Sequence, residues 1–329
     1  RTFADPDQMA RMPGLTELME HADLYTKARA PDFQTPSSIP RFLFQTDQRM
    51  RELHSDELGR MVRNNLLSRQ GFQSIFDLTD NHFKALLGCY LYYPAMFGRK
   101  LDYYGRYNPN SDRVRTRRFL CSLLASQTEF TRHLGLTRRR QLPNSNFDTD
   151  LINIQKNTKK TLLEVLHRLP QMNIAYFHVL FPHYPYQFQS NGSERNPILM
   201  GADASNLEGY RDNLEYMDQL IKDIVLALQQ RGDYDSSLIV LLSDHSWRHD
   251  PEIMPLFGDY KAGEKENPMA RPLMQHVPLI IKHPNQAAPR RFDQEVELSD
   301  LYRLFARYLD NSEETMELDW WRQDSLSIP

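Results

Sequence analysis

Short, uninterrupted apolar runs bounded by polar residues recur along this chain. Leu238–Leu242 is the clearest of them, and Asn173–Phe181 and Val277–Ile281 follow the same pattern. Short runs rich in β-branched side chains are typical of strands that a parallel sheet buries on both faces. The pattern therefore predicts three core strands of an α/β protein.

Amphipathic helices precede two of these strands. The first, Asn157–Leu169, has an apolar stripe and ends before Pro170. The second, Asn206–Gln230, is followed by Gly232, a residue that favours helix ends. Its apolar residues recur at helical spacing: Leu214, Met217, Ile221, Ile224 and Leu228. Helix followed by strand, twice in succession, is typical of strand–helix–strand units and a parallel sheet.

The two ends of the chain are predicted to pack onto this sheet. Residues 15–19 form a short amphipathic helix, and Ala22–Ala30 after it is interpreted as an edge strand. Glu297–Leu309 is predicted to be a second packing helix. Because a parallel α/β domain usually begins with a strand and none precedes the first helix here, we expect the first strand to lie upstream of Arg1.

The region between residues 47 and 150 gives weaker signals. Residues 47–70 are helical in character, Phe83–Tyr93 is predicted to be a helix that runs into a strand, and Pro94–Tyr107 a surface loop. The many arginines of residues 108–150 favour a solvated helix face over a rim that attracts anions.

Composition narrows the function classes. The chain has 329 residues, 40% hydrophobic and 25% charged, an ordinary balance for one large globular domain or two smaller ones. Its net charge of −3 provides no general attraction to nucleic acid or to an acidic membrane. No segment approaches the roughly 20 apolar residues that span a bilayer. The two cysteines cannot form a disulfide framework.

The run Leu238–Leu242 ends in Ser243, Asp244 and His245. The carboxyl end of a buried strand is where open α/β sheets bind their ligands. A carboxylate and a neutral imidazole are both metal ligands. The pair alone is equally compatible with an aspartate that caps the turn after the strand. His183 also follows an apolar run, whereas His178 lies within that run and is interpreted as a core histidine.

Hydroxyl groups cluster between prolines at residues 35–40, TPSSIP. A rigid loop that enters a helix fits this pattern, and taken alone it favours a Ser or Thr helix cap with proline in the first turn. The hydroxyl of Thr35 becomes a nucleophile only if a base or a metal activates it.

The order of several segments resembles the sulfatase branch of the alkaline phosphatase-like superfamily. They are PGLTELMEHADLYTKARAP, YRDNLEYMDQLIKDIVLALQQRGDYDSS with the strand and SDH after it, HVPLIIKHP, and VELSDLYRLFARYL. The resemblance runs from about residue 12 to about residue 310, and residues 47–150 match poorly, as an insertion would. It implies a three-layer α/β/α fold with a mostly parallel sheet. Residues 1–329 would form one sulfatase-like catalytic domain of a longer chain, with residues 310–329 as a C-terminal tail.

The same resemblance assigns roles to the polar residues. Residues 35–40 lack the Cys and Arg of sulfatase nucleophile loops and are similar to the Thr-x-x-Ser-[Ile/Val]-Pro pattern of phosphoethanolamine and phosphoglycerol transferases. That similarity implies that Thr35 is both nucleophile and metal ligand. It also implies that Asp244 and His245 hold the metal, and that His183 faces the transferred group or the leaving oxygen.

The implied cofactor is a divalent metal ion, Zn²⁺ or Mn²⁺, with Ca²⁺ or Mg²⁺ as alternatives. Arg248 is predicted to contact the substrate, and a surface salt bridge explains it equally well. The family's first strand carries an Asp or Glu metal ligand that has no counterpart in this sequence. For the second metal-site histidine of the transferases, the candidates are His249 and His276.

These observations predict a metal-dependent hydrolase or transferase that acts on phosphate or sulfate esters through Thr35. The alternative is a catalytically inactive sulfatase-like domain that serves in binding or regulation. The resemblance also implies a periplasmic or cell-surface location, with membrane association only through a segment outside this sequence. From the net charge of −3 we expect no nucleic-acid partner.

Overall fold

The computed structural model describes most of the chain. The described residues are 6–63, 66–67, 70–79, 82–89, 91, 93–97, 100–107, 145–168, 174–195, 206–247 and 275–309. The predictions for Arg248, His249, the arginines of residues 108–144 and the tail 310–329 lie outside these ranges.

The described residues form helices and short strands in alternation. The helices are α1 (Pro6–Ala10), α2 (Pro13–Met19), α3 (Thr35–Leu43), α4 (Gln48–Glu52), α5 (Ser55–Arg63), α6 (Tyr93–Phe97), α7 (Ser145–Arg168), α8 (Leu207–Arg231) and α9 (Leu301–Leu309). The strands are β1 (Asp23–Arg29), β2 (Lys84–Gly88), β3 (Tyr103–Arg106), β4 (Ile174–Phe177), β5 (Ile239–Leu242), β6 (Leu279–Lys282) and β7 (Arg290–Glu297). Among these helices, none is both long enough and apolar enough to cross a membrane.

The strands belong to two sheets. The larger has the order β5-β6-β1-β7, in which β6 is antiparallel to both neighbours and β1 is parallel to β7. The smaller has the order β3-β2-β4, and its strands are all parallel. Three of the five strand pairs are therefore parallel, and strands alternate with helices along the chain. Both features confirm the predicted α/β class.

Helix α8 follows its sequence signals closely. The side chain of Asn206 accepts a hydrogen bond from the Gly209 N–H at 2.8 Å and caps the helix. Gly232 ends it in the left-handed conformation, with φ of 74°, which glycine adopts without steric cost. The predicted helix at residues 206–230 and its glycine stop are thus confirmed.

Helix α2 packs tightly against α8. The Asp218 carboxylate of α8 accepts hydrogen bonds from the backbone N–H groups of Gly14 (2.9 Å) and Leu15 (2.6 Å). These donors have no partner within α2 because they lie in its first turn. A Cβ atom at position 14 would lie 2.6 Å from the Asp218 carbonyl oxygen, so the close approach requires glycine.

Two strand predictions were incomplete. Residues 22–30 were expected to form an edge strand, but β1 is paired on both sides, with β6 and β7. Strand β7 was missed because only Val296 among its residues is buried. Its RRFDQEVE sequence lacks the apolar run that marks a core strand.

The prediction for residues 83–107 was wrong. Residues 84–88 form strand β2, which is completely buried, and helix α6 follows the strand instead of preceding it. Residues 103–106, expected in a surface loop, form strand β3 beside β2. The apolar and aromatic residues of this region have no regular spacing, so the pattern did not separate the two strands from the helix between them.

A large cavity separates the two sheets. Its volume is about 1250 Å³. Residues 174–179, which include β4, form one wall, residues 236–247, which include β5, form another, and the apolar face of α8 lines it between them. The cavity therefore reaches from the interior of the fold to the carboxyl ends of β4 and β5.

Candidate active site

Thr35 is the first residue of α3, at the end of an extended segment. Pro36 occupies the next helical position, where its missing N–H costs nothing. The Ser38 hydroxyl donates a hydrogen bond to the Asp244 carbonyl at 2.5 Å and so ties α3 to the loop after β5. About one turn later in the same helix, the Arg41 guanidinium forms an ion pair with the buried Asp32 carboxylate at 2.8 Å. This ion pair fixes the segment that leads to Thr35.

Asp244 and His245 follow β5 and lie against Thr35. The Thr35 hydroxyl oxygen is 3.4 Å from Nε2 of His245. Nδ1 of His245 is 2.8 Å from the Ser246 carbonyl, which can only accept a hydrogen bond. Nδ1 of His245 therefore carries a proton, and Nε2 is the ring nitrogen that faces the Thr35 side of the site.

The Asp244 carboxylate is favoured in its charged form. Burial raises its pKa, but electrostatic interactions with His245 and His178, a hydrogen bond from the Thr35 hydroxyl and an interaction with His183 lower it by a larger amount. The net pKa is below the ordinary value of an aspartate. Asp244 is therefore an anion surrounded by groups that stabilise negative charge.

His183 belongs to the loop after β4. Its Nδ1 donates a hydrogen bond to the Tyr184 carbonyl, which fixes its tautomer in the same way as in His245. The side-chain amide of Gln155 on α7 holds the His183 carbonyl at 2.6 Å. His183 is close enough to Asp244 for the two side chains to interact electrostatically.

His178 is part of the same group, which the sequence did not predict. It directly follows β4, and Tyr93 holds its Nδ1 at 2.6 Å. Burial lowers the pKa of His178, which Asp244 raises in part, so the imidazole is neutral at neutral pH. It was expected to be a core histidine with its hydrogen bonds satisfied, and the Tyr93 contact agrees. Its position one residue after the strand was the signal that it also faces Asp244.

An aromatic wall borders the histidines. The rings of Tyr210 and Trp247 stack with centroids 4.2 Å apart, and the Trp247 N–H donates to the Tyr186 hydroxyl at 2.9 Å. Trp247 is two residues after His245, and Tyr186 is three residues after His183. The two loops that carry the histidines are therefore held to each other by packed rings.

The donor set has the chemistry of a divalent-cation site. Asp244 offers a carboxylate, His245 a neutral imidazole nitrogen and Thr35 a hydroxyl. In the described part of the chain, the Oδ2 atom of Asp244 is buried and has no hydrogen-bond partner. Buried polar atoms are normally paired, and a bound cation would provide the missing partner. Among the same residues, no cluster of three or more His, Cys, Asp or Glu side chains could hold a metal. Asp244, His245 and Thr35 thus fit a cation as a partial set of ligands.

The structure gathers most of the predicted site residues. Thr35, Asp244 and His245 are in contact, and His183 lies within electrostatic range of Asp244. His276 instead hydrogen-bonds through Nε2 to the Thr26 carbonyl of β1 at 2.7 Å. The remaining predicted residues, Arg248 and the candidate His249, lie outside the described residues.

Known proteins share this fold and parts of this sequence. A model of the sulfatase family matches residues 7–310. The lipoteichoic acid synthase-like protein YvgJ of Bacillus subtilis is 27% identical over 124 residues, which cover 36% of this chain and 19% of that protein. The chain therefore matches about a fifth of the length of this curated relative.

Solved structures resemble it over nearly its whole length. The phosphonate monoester hydrolase of Agrobacterium radiobacter superimposes with a TM-score of 0.55 at 16% identity, covering 91% of this chain and 69% of that one. The lipoteichoic acid synthase LtaP from Listeria monocytogenes gives a TM-score of 0.52 at 13% identity, covering 92% and 67%. At such identities the similarity shows that the fold is shared.

Proposed function

We propose that this chain, which belongs to the sulfatase family, is a metal-dependent hydrolase or transferase that acts on phosphate or sulfate esters through Thr35. The observation that carries the proposal is the 3.4 Å approach of the Thr35 hydroxyl to His245 Nε2, beside the charged Asp244 carboxylate. The resemblance to transferases of this superfamily further supports a location outside the cytoplasm.

Thr35 is the proposed nucleophile. A bond forms between its Oγ1 atom and the phosphorus or sulfur of the ester, the bond to the ester oxygen breaks, and the Thr35 proton leaves to solvent. His183 in its protonated form donates a proton from Nε2 to the leaving oxygen, while its Nδ1 stays hydrogen-bonded to the Tyr184 carbonyl, which orients the ring. Water or an acceptor alcohol then attacks the covalent intermediate and restores the Thr35 hydroxyl.

Asp244, His245 and Thr35 are the residues that would hold the metal. A divalent cation, with Zn²⁺ or Mn²⁺ as the first candidates, supplies a lower pKa for the Thr35 hydroxyl and offsets charge on the transferred group. The protein's own part is to orient the donors: Ser38 joins α3 to the Asp244 backbone, and the Ser246 carbonyl sets the tautomer of His245.

The test compares the wild type with Thr35→Val on p-nitrophenyl phosphate and p-nitrophenyl sulfate, with added Zn²⁺ or Mn²⁺. Thr35→Val should lower kcat by on the order of 10³-fold or more, because it removes the nucleophile and preserves the side-chain shape. Thr158→Val is the matched control, since the Thr158 hydroxyl donates to the Ile154 carbonyl of its own helix and, among the described residues, has no contact with the site. The faster of the two substrates identifies the ester class.

A catalytically inactive binding or regulatory domain is the second candidate. The observation that favours it is the incomplete cluster of ionisable ligands among the described residues. Metal content by mass spectrometry separates the two functions. Bound Zn²⁺ or Mn²⁺ that is lost in Asp244→Asn, together with turnover lost in Thr35→Val, supports the enzyme. Neither metal nor turnover in the wild type favours the inactive domain.

A further inference from the structure

The end of strand β2 fixes the backbone of His178. The His178 N–H donates a hydrogen bond to the Leu87 carbonyl at 2.9 Å, and the His178 carbonyl accepts one from the Cys89 thiol at 3.2 Å. Gly88, between these two residues, leaves room for an aromatic ring. A Cβ atom at position 88 would lie 2.5 Å from two ring atoms of Tyr93. The same strand end therefore holds the backbone of His178 and admits the side chain of Tyr93.

Packing fixes the ring of Tyr93 as well. The side chain is fully buried. Its ring stacks on Phe97 with centroids 6.2 Å apart, and it packs edge-on against Tyr176 with centroids 6.0 Å apart. Because close-packed rings of this kind keep one orientation, the Tyr93 hydroxyl has a fixed position, 2.6 Å from Nδ1 of His178.

The Tyr93 hydroxyl determines which edge of the His178 imidazole faces the cavity. His178 lines the cavity together with Asp244 and His245. Since Nδ1 of His178 is engaged by Tyr93, Nε2 is the ring nitrogen that remains for the cavity. A half-turn about the Cβ–Cγ bond would exchange nitrogen for carbon at both positions, and it would break the hydrogen bond to Tyr93. The hydrogen bond thus selects the orientation with Nε2 toward the cavity.

This orientation matters because the cavity holds an anion beside His178. The imidazole and the Asp244 carboxylate interact electrostatically, in the direction that favours the charged carboxylate. The Oδ2 atom of Asp244 is buried and, among the described residues, has no hydrogen-bond partner. A polar ring nitrogen on this side interacts with the carboxylate more strongly than a ring carbon does. Groups that surround a metal-binding carboxylate in this way set its orientation.

We propose that Tyr93 is a positioning residue of this site: its hydroxyl orients the His178 imidazole, and His178 in turn orients the Asp244 carboxylate toward the metal ion. This role rests on the proposed function, in which Asp244 helps to hold the cation. Tyr93 belongs to residues 47–150, where the sequence resembles the family least, so the contacts of the folded chain alone assign the role.

The experiment compares Tyr93→Phe, His178→Leu and the double variant in the full chain. Tyr107→Phe is the matched control, because Tyr107 is also fully buried and its hydroxyl, within the described part of the chain, has no hydrogen-bond partner. Three quantities are measured. They are the dissociation constant of Zn²⁺ by calorimetry, kcat on the faster p-nitrophenyl ester, and the ¹³C NMR signal of the Asp244 carboxylate in the metal-free chain. Circular dichroism checks that each variant is folded.

We expect Tyr93→Phe to weaken Zn²⁺ binding and to lower kcat about tenfold each, and His178→Leu to do so by about 10- to 100-fold. The double variant should bind Zn²⁺ no more weakly than His178→Leu alone, because Tyr93 acts through His178. A merely structural role for Tyr93 would make the two effects multiply. The Asp244 signal should move in both single variants and stay in place in Tyr107→Phe.

The proposal is overturned if Tyr93→Phe matches Tyr107→Phe in all three measurements, or if the two single effects multiply in the double variant. A wild-type chain that binds no Zn²⁺ and hydrolyses neither ester contradicts the proposed function instead. In that case the Asp244 signal still tests the contact chain: movement in both single variants supports it, and an unmoved signal overturns it. If Tyr93→Phe does not fold, an unmoved Asp244 signal in His178→Leu overturns the proposal and a moved one supports it.

Discussion

Asp23→Asn tests a buried network that holds the larger sheet together. Asp23, at the start of β1, is fully buried, and its carboxylate accepts four hydrogen bonds. Nε and Nη2 of Arg290 donate at 2.8 Å each, Nε2 of His283 at 2.9 Å and Nε2 of Gln286 at 2.7 Å. The network joins β1 to β7 and to the turn after β6. The substitution keeps the shape of Asp23 and removes its charge.

The size of the effect follows from burial. Removing one member of a buried ion pair costs about 3–5 kcal/mol, because it leaves the partner charge uncompensated. The Arg290 side chain is 41% exposed and keeps part of its hydration. We therefore expect the loss in the free energy of unfolding at pH 7 to be near the lower end, about 3 kcal/mol.

The loss should depend on pH in a defined direction. Burial raises the pKa of Asp23, but its hydrogen bonds with His283, Arg290 and Gln286 lower it more, so the net pKa in the folded protein is below its ordinary value. A lowered folded pKa stabilises the protein above the unfolded pKa, about 3.9, and this stabilisation disappears as pH falls through the folded pKa. Asp23→Asn lacks this term, so its deficit relative to the wild type should shrink between pH 5 and pH 3.

Urea unfolding followed by circular dichroism measures both effects. The matched control is Asp293→Asn on β7, whose side chain is 63% exposed, and its free energy of unfolding should stay within error of the wild type. The reasoning is refuted if Asp23→Asn destabilises the protein no more than Asp293→Asn does. It is equally refuted if the difference from the wild type is the same at pH 7 and pH 3.

Three further changes test other parts of the structure. Gly14→Ala should lower the free energy of unfolding by about 1–3 kcal/mol, because its Cβ would press on the Asp218 carbonyl oxygen; an unchanged urea midpoint would contradict the close packing of α2 on α8. Tyr93→Phe should cost about 1–3 kcal/mol in the same assay, since His178 Nδ1 loses its buried partner, and no loss would show that another group replaces it. Trp247→Ala should lower kcat for ester hydrolysis by about 10-fold or more, because the loops that carry His183 and His245 lose the ring that holds them together; an unchanged kcat would show that other contacts position the two loops.

The sequence predicted the elements whose signals are local. Helix α8 and strands β5 and β6 combine strong periodicity or apolar runs with clear ends, and all are where the pattern placed them. Thr35, Asp244 and His245 could be linked through the family resemblance, because each lies beside a proline-framed turn or a strand end that is recognisable by itself.

What the sequence missed depends on tertiary contacts. Strand β7 is polar on its exposed positions and is a strand because β1 supplies its backbone partners. The role of His178 depends on Tyr93, 85 residues away, which positions the imidazole beside the carboxyl end of β5. Neither contact produces a regular spacing of apolar residues in the sequence, so both become visible only in the folded structure.

The pairing of β1 has a consequence for how this protein is made. β1 is complete by residue 29, but its two neighbours are β6 at residues 279–282 and β7 at residues 290–297. During synthesis, both backbone edges of β1 must therefore wait for about 250 further residues, at about 5–20 residues per second, before their partners emerge from the ribosome. Throughout that interval β1 has two unpaired backbone edges that can pair with other nascent chains, and a chain that stops short of residue 279 lacks both partner strands.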